Sequence, residues 1–224
     1  ELNISSKLDE INQNIFHHES FRNFQKEAIQ SAVEGNDVLV IAPTGFGKSL
    51  IYQIAGLYDQ KLTIVISPLI SLIQDQIRSL MELRINSAAF LSKIGNSDYF
   101  DALKKMENDE FFFLFLTPEK IMQSEHLCNF LVDMHKHGKI ARIVIDEAQC
   151  ISQFGHDFRP DYRNLKLLRD KFAGIHFLAL TSTATETVAN DIQHELQMDN
   201  CKTFRMSFNR SNIIYQVYAK KDSV

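Results

Sequence analysis

The sequence predicts an α/β fold, a mostly parallel sheet with helices on both of its faces. Three observations point there. Short, continuously apolar runs recur along the 224 residues, amphipathic stretches separate them, and prolines or turn residues follow several of the runs directly. A strand with one wet face alternates apolar and polar residues, whereas a strand covered on both faces reads as an unbroken apolar run. Strands that alternate with helices build βαβ units, and ligands of such sheets bind at the carboxyl ends of the strands.

Val38–Ile41 is the first predicted strand and Leu62–Ile66 the second. Residues 111–116, Ile140–Ile145 and 176–180 are the next three. The spacing predicts a helix over 69–83, where Leu69, Leu72, Ile73, Gln76, Ile77 and Leu80 fall near a 3.6-residue period. Residues 186–198 repeat that pattern with Val188, Ile192 and Leu196. After the last helix, 204–208 and 213–218 have strand character and are expected to lead out of the domain. Pro43, Pro68 and Pro118 each follow a predicted strand by one or two residues, as strand terminators do.

Composition narrows the function classes. An apolar content of 45% with 23% charged residues supports a packed core and excludes a disordered or low-complexity chain. No run of about 18 apolar residues exists to span a membrane, and the N-terminus lacks the order of a signal peptide. The chain begins at Glu1, so a piece of something longer is expected. Cys128, Cys150 and Cys201 lie far apart with no CxxC pair, which predicts a reducing compartment and no zinc site in this stretch. A net charge of -4 and a pI near 6.1 give no global basic footprint, so nucleic-acid binding needs a local argument.

The first strand runs into Ala42-Pro43-Thr44-Gly45-Phe46-Gly47-Lys48-Ser49 and then a helical pattern. A P-loop asks for Gly, four residues, then Gly-Lys-Ser/Thr between strand and helix; here Ala42 replaces the first glycine. Thr44, Gly45, Phe46 and Gly47 form the loop whose backbone N–H groups can face phosphates. Lys48 is expected on the β- and γ-phosphates, and the Ser49 hydroxyl on magnesium. Ile140–Ile145 ends in Asp146-Glu147-Ala148-Gln149. Carboxylates there are costly to bury unless they meet a cation. Asp146 is expected to hold magnesium, and Glu147 to orient and deprotonate the attacking water. A glycine-rich turn and a helix-capping acid are the bland readings of the two motifs, and finding them together favours a nucleotide hydrolase.

These residues resemble the first motor lobe of RecQ-type DNA helicases of superfamily 2, from about Phe21 to the C-terminus. Phe21-Arg22-Asn23-Phe24-Gln25 resembles the family's adenine-reading motif. The segment from Val65 to Leu72 is similar to its motif Ia, and that from Leu116 to Lys120 to motif Ib. Asp146 to Gln149 is similar to motif II, and Leu180 to Thr185 to motif III. The stretch from Cys150 to Tyr162 resembles the aromatic-rich loop specific to RecQ enzymes. Met206-Ser207-Phe208-Asn209-Arg210 and the approach to motif II lean towards the eukaryotic Bloom-type branch.

The resemblance implies a RecA-like lobe over 21–206, a lead-in helix over 1–20, and over 207–224 the start of the connection to an absent second lobe. It implies ATP and Mg2+ as ligands, with zinc not in this fragment. Single-stranded and forked DNA are the implied partners, with the second lobe of the same polypeptide, work in repair and recombination, and a nuclear location in a eukaryote (cytoplasmic otherwise). Gln25 would read adenine through its carboxamide and Arg22 would stack on the base, with His18 near the place of the second stacker. Ser67, Ser71 and Thr117 would hold a DNA backbone through hydroxyls and neighbouring N–H groups. Gln153, Phe154, His156, Phe158 and Arg159 would meet single-stranded DNA by stacking and charge.

The chain departs from the family's pattern at two coupling positions. Gln149 replaces a histidine and Ser182 an alanine. Glutamine keeps a donor and an acceptor but carries no charge near neutral pH. Altered coupling between DNA and hydrolysis is therefore expected. Phe154 stands where tryptophan is usual. A DEAD-box-like RNA helicase and a catalytically weak, nucleotide-gated DNA-binding scaffold are the alternatives, and an isolated first lobe is expected to be nearly inactive.

Overall fold

The computed structural model describes residues 3–91, 96–154, 157–207, 214 and 216. Among them, seven strands form one sheet: β1 (Val38–Ile41), β2 (Leu62–Ile66), β3 (Ser87–Phe90), β4 (Phe113–Leu116), β5 (Ile140–Ile145), β6 (His176–Thr181) and β7 (Lys202–Arg205). Their order is β3-β4-β2-β5-β6-β1-β7 and every neighbouring pair is parallel. Helices α1 (Ile4–Asn14) and α2 (Gln25–Val33) precede β1. Helices α3 (Lys48–Asp59), α4 (Ile70–Glu82) and α5 (Asn96–Glu107) occupy the successive crossovers up to β4. Then come α6 (Pro118–Gln123), α7 (Glu125–Lys136), α8 (Pro160–Arg163), α9 (Leu167–Lys171) and α10 (Glu186–Glu195).

The unbroken apolar runs are explained by two cores, one on each face. Val38, Val40, Val65, Val144, Leu178 and Leu180 pack with buried residues of α1 to α4. Leu39, Ile41, Ile64, Ile66, Ile143, Ile145 and Phe177 point the other way, against α5 to α7 and α10. Successive strand residues alternate between faces, and both faces are dry. The segments that follow β1, β2, β4, β5 and β6, from Ala42, Ser67, Thr117, Asp146 and Ser182, then leave the sheet at its carboxyl end.

The α/β class and the five predicted strands are observed, with adjusted ends. The third strand starts at Phe113 instead of residue 111, and the fifth runs on to Thr181. The helix predicted over 69–83 covers Ile70–Glu82, with Leu69 outside it as the cap and partly exposed. The helix predicted over 186–198 stops at Glu195. The strand expected over 204–208 lies earlier, at Lys202–Arg205. Of 213–218 only 214 and 216 are among the described residues, and they lie in no strand. Strand β3 was not expected, because Ser-Ala-Ala-Phe has none of the branched residues that mark strands. Within the segment 1–20 that was expected to hold a helix, α1 covers Ile4–Asn14, and its Leu8 and Ile11 are buried in the core with α2 and α3.

Candidate functional site

The phosphate loop is shaped by two left-handed glycines, Gly45 at φ 83° and Gly47 at φ 94°. Gly47 caps α3, whose first residues are Lys48 and Ser49, so the positive end of the helix dipole faces the loop. A Cβ on Gly47 would sit 2.7 Å from Gln25 Nε2. That contact exists because Gln25, 2% exposed, is bound into the loop. Its Nε2 donates to the Phe46 and Gly47 carbonyls at 3.1 and 3.3 Å, and its Oε1 accepts from the Arg22 N–H at 2.7 Å. Arg22 Nη1 donates to the Gly45 carbonyl at 2.9 Å. Phe46 is buried, its ring 5.0 Å from Phe24, while Thr44 is exposed. Both residues expected to meet the base therefore brace the loop. Beside them opens a cavity of about 480 Å³ lined by His17, His18, Arg22, Gln25 and Gly47, among others.

Lys48 Nζ donates to the Ala42 and Pro43 carbonyls at 2.8 and 3.3 Å. Burial pulls its pKa down, against the raising effect of Glu147 and Asp146. Asp146 follows β5 directly, its N–H bound to the Ile66 carbonyl of β2. Its carboxyl is pushed up to about 6, first by burial and then by the Glu147 charge, and is pulled back by the Glu147 N–H and by Lys48. Glu147 takes a left-handed conformation, φ 50° and ψ 46°, as six other non-glycine residues among those described do at turns and helix ends. Its N–H donates to Asp146 Oδ1 at 3.0 Å.

Gln149 uses both ends of its carboxamide. Nε2 donates to Glu147 Oε2 at 2.6 Å, and Oε1 accepts from the Thr181 hydroxyl at 2.6 Å. Thr181 ends β6, and its oxygen also accepts from the Thr183 N–H at 3.2 Å. The acidic motif after β5 and the threonine turn after β6 are thus one hydrogen-bonded unit.

The donor set suits a hard cation. Ser49 and Asp146 offer oxygens, and Ser67 Oγ, one residue beyond β2, is buried beside the Asp146 carboxyl and within its electrostatic reach. Among the described residues no cluster of three or more His, Cys, Asp or Glu side chains could hold a metal alone. Magnesium is commonly held by one or two carboxylates together with substrate phosphates, so these residues fit it.

The residues expected to meet DNA divide into two groups. Ser71 and Phe154 are exposed, Phe154 at 70%, as is Gln153; Phe158 is half-buried. Ser67 and Thr117 are buried. The Thr117 hydroxyl caps α6 by accepting from the Lys120 N–H at 3.3 Å, which is the capping role a threonine commonly has there. Arg159 is tied inward: Nη1 donates to the Pro68 carbonyl at 3.2 Å and Nη2 lies 3.6 Å from Asp157. His156 lies outside the described residues. The unforeseen members of the site are Tyr162, whose hydroxyl donates to the Asp146 carbonyl at 3.0 Å, and Thr181. Both lie in segments likened above to the aromatic-rich loop and to motif III, but only the fold brings them to the acidic pair.

A family profile described as "DEAD/DEAH box helicase" matches residues 22–192. The chain is 44% identical over 218 residues to "ATP-dependent DNA helicase Q-like 4B" of Arabidopsis thaliana, covering 96% of this chain and 19% of that protein. It is 44% identical over 208 residues to "RecQ-like DNA helicase BLM" of Xenopus laevis, covering 90% of this chain and 15% of that protein. The chain thus spans under a fifth of either relative. Among solved structures, that of the DUF1998 helicase MrfA bound to DNA and AMPPNP matches with a TM-score of 0.68 and 18% identity, over 90% of this chain and 29% of the other. The Hef helicase domain of Pyrococcus furiosus matches with a TM-score of 0.60 and 15% identity, over 86% and 39% of the two chains. At these identities the structural likeness speaks for the fold.

Proposed function

Because the chain belongs to the DEAD/DEAH box helicase family and is of the RecQ type, we propose that it is the ATP-binding lobe of a DNA helicase motor. That motor would couple ATP hydrolysis to movement along single-stranded DNA and to opening of duplex and forked DNA in repair and recombination, in the nucleus if the source is eukaryotic. The observation that carries this reading is the convergence of Lys48, Asp146 and Glu147, with Glu147 held through Gln149 to Thr181. A hydrolytic pair so connected to a neighbouring strand end can be moved by whatever moves that strand end.

Gly45, Gly47 and the start of α3 would receive the phosphates, with Lys48 turning from the Ala42 and Pro43 carbonyls to the γ-phosphate. Ser49 and Asp146 would hold magnesium, which supplies positive charge against the charge that develops on the phosphoryl oxygens. Glu147 would orient the attacking water and take its proton, and Gln149 keeps that carboxylate in place. Arg22 and Gln25 would first hold the loop and then border the base in the adjoining cavity. Phe154 and Phe158 would offer rings to single-stranded DNA, with roughly 1–3 kcal/mol available per stacked base. A second lobe would complete the site with an arginine finger, which is worth about 10³–10⁵ in kcat in comparable enzymes.

ATP hydrolysis by the longer parent protein, with single-stranded DNA, RNA or neither present, tests the reading. Stimulation by DNA well above that by RNA is expected, and loss of turnover with retained ATP binding in Glu147→Gln. Equal stimulation by RNA would point to an RNA helicase, and normal turnover in Glu147→Gln would remove that residue from the base role.

A further inference from the structure

Helix α3 begins at the phosphate loop, and one turn along it Tyr52 stands on the same face as Ser49. Tyr52 is among the largest fully buried side chains, at 1% exposed, although it carries a hydroxyl. Its ring is held edge-on by Phe113 and Phe115 of β4, with centroids 6.1 and 6.5 Å away. The hydroxyl donates to Gln76 Oε1 at 3.0 Å, and the buried Gln53 donates through Nε2 to the same oxygen at 3.0 Å. Gln76 belongs to α4, whose Ile73 and Leu80 lie in the same core as Tyr52. Two residues of the phosphate-loop helix are thus fastened to one carboxamide of the next helix.

A buried tyrosine commonly finds a partner for its O–H, and a purely structural role would account for the bond to Gln76. Two further observations tie this phenol to the nucleotide site. Ser49 lies within side-chain hydrogen-bonding reach of the Tyr52 oxygen, and the Asp146 charge acts on the same group. Burial first, and then Asp146, push the Tyr52 pKa well above the ordinary phenol range, against the lowering effect of Ser49 and Gln53. The hydroxyl therefore keeps its proton.

The direction of the bonds follows from what each group carries. A carboxamide oxygen has lone pairs and no proton, so the single Tyr52 proton goes to Gln76. Towards Ser49 the Tyr52 oxygen can then only accept. A serine that ligates a cation does so through an oxygen lone pair, and its one proton has to point elsewhere. Tyr52 gives that proton an acceptor and leaves the Ser49 lone pairs to the cation. Outer partners that orient a metal ligand in this way are commonly worth roughly 10–100-fold in metal affinity or activity.

We propose that Tyr52 and Gln76 are positioning residues of the nucleotide site, a hydrogen-bonded chain that directs the Ser49 hydroxyl oxygen to magnesium. This rests on Ser49 being a magnesium ligand, as proposed above. The test measures the affinity of the 224-residue chain for ATP by calorimetry, once with magnesium and once with EDTA, and takes the ratio as the magnesium gain. The native chain is expected to show a gain, and Ser49→Ala to lose most of it. Tyr52→Phe removes one oxygen and keeps the ring, and Gln76→Met keeps the length and removes the acceptor. Each is expected to lower the gain roughly tenfold while leaving the affinity in EDTA unchanged. In a chain already carrying Ser49→Ala, neither is expected to lower it further, because both act through that hydroxyl. A native-sized gain in both Tyr52→Phe and Gln76→Met overturns the proposal. Equal losses with and without magnesium also overturn it, as does a further loss of gain in the Ser49→Ala chain, since a merely structural role gives those results. A native chain with no gain, or Ser49→Ala with the native gain, instead removes Ser49 from the magnesium site, and the proposal with it.

Discussion

Asp146 is held in the fold at a disadvantage. Its carboxyl titrates at about 6, above the ordinary 3.8, so the folded chain binds a proton more readily than the unfolded one between those values. Stability contributed by this group therefore rises as pH falls through 6 towards 4 and is absent above 6. Integrated over that shift, ionised Asp146 costs the empty lobe at most about 3 kcal/mol at pH 7. Asp146→Asn should raise stability to urea at pH 7 by roughly 1–3 kcal/mol, with the gain shrinking towards pH 4, while magnesium-dependent nucleotide binding is lost. A variant no more stable than the native chain at pH 7 would remove burial as the cause. Gly47→Ala meets both a left-handed backbone and Gln25 Nε2 at 2.7 Å. It should destabilise by roughly 1–3 kcal/mol and weaken ATP binding, and Gln25→Ala in the same chain should relieve part of the clash without restoring the affinity.

At the scale of elements, the aromatic loop is anchored to the turn after β2 through Arg159 and the Pro68 carbonyl, a hydrogen bond across 91 positions. Arg159→Ala should lower DNA-stimulated hydrolysis in the longer protein about as much as Phe154→Ala, on the order of tenfold, with basal hydrolysis less affected. A larger fall in basal than in stimulated rate would count against both roles. The same bond marks where the sequence stops being legible. Strands β1, β2, β5 and β6 could be read because each is an apolar run between two dry faces. Strand β3 could not, and β7 was legible only with its ends displaced, since Ser-Ala-Ala-Phe and Lys-Thr-Phe-Arg sit at the sheet's edges and bury little. Motif spacing placed Lys48, Asp146 and Glu147 together. It did not show that Gln25 and Arg159 spend their polar groups on backbone carbonyls far away in the chain, because such bonds depend on tertiary approach and leave no periodicity behind.

For the whole molecule, the charge of -4 sets how DNA would be held. With Arg159 turned inward and Ser71, Gln153 and Phe154 the exposed members of the proposed DNA surface, few DNA phosphates would be neutralised. The affinity of this chain for single-stranded DNA should accordingly fall only gently with salt, with a log–log slope no steeper than about -2. A slope several units steeper would require a basic surface elsewhere. The strand order has a different consequence, for the time at which the site comes into being. Strand β1 is flanked by β6 and β7, and Val38 pairs with Leu178 and Lys202, so the strand that launches the phosphate loop has no sheet partner until β6 has been made. Closing so long a loop is slow, and an unpaired apolar strand is prone to associate meanwhile. During synthesis the phosphate loop is thus made well before the two strands that must pair with β1 to hold it in the sheet.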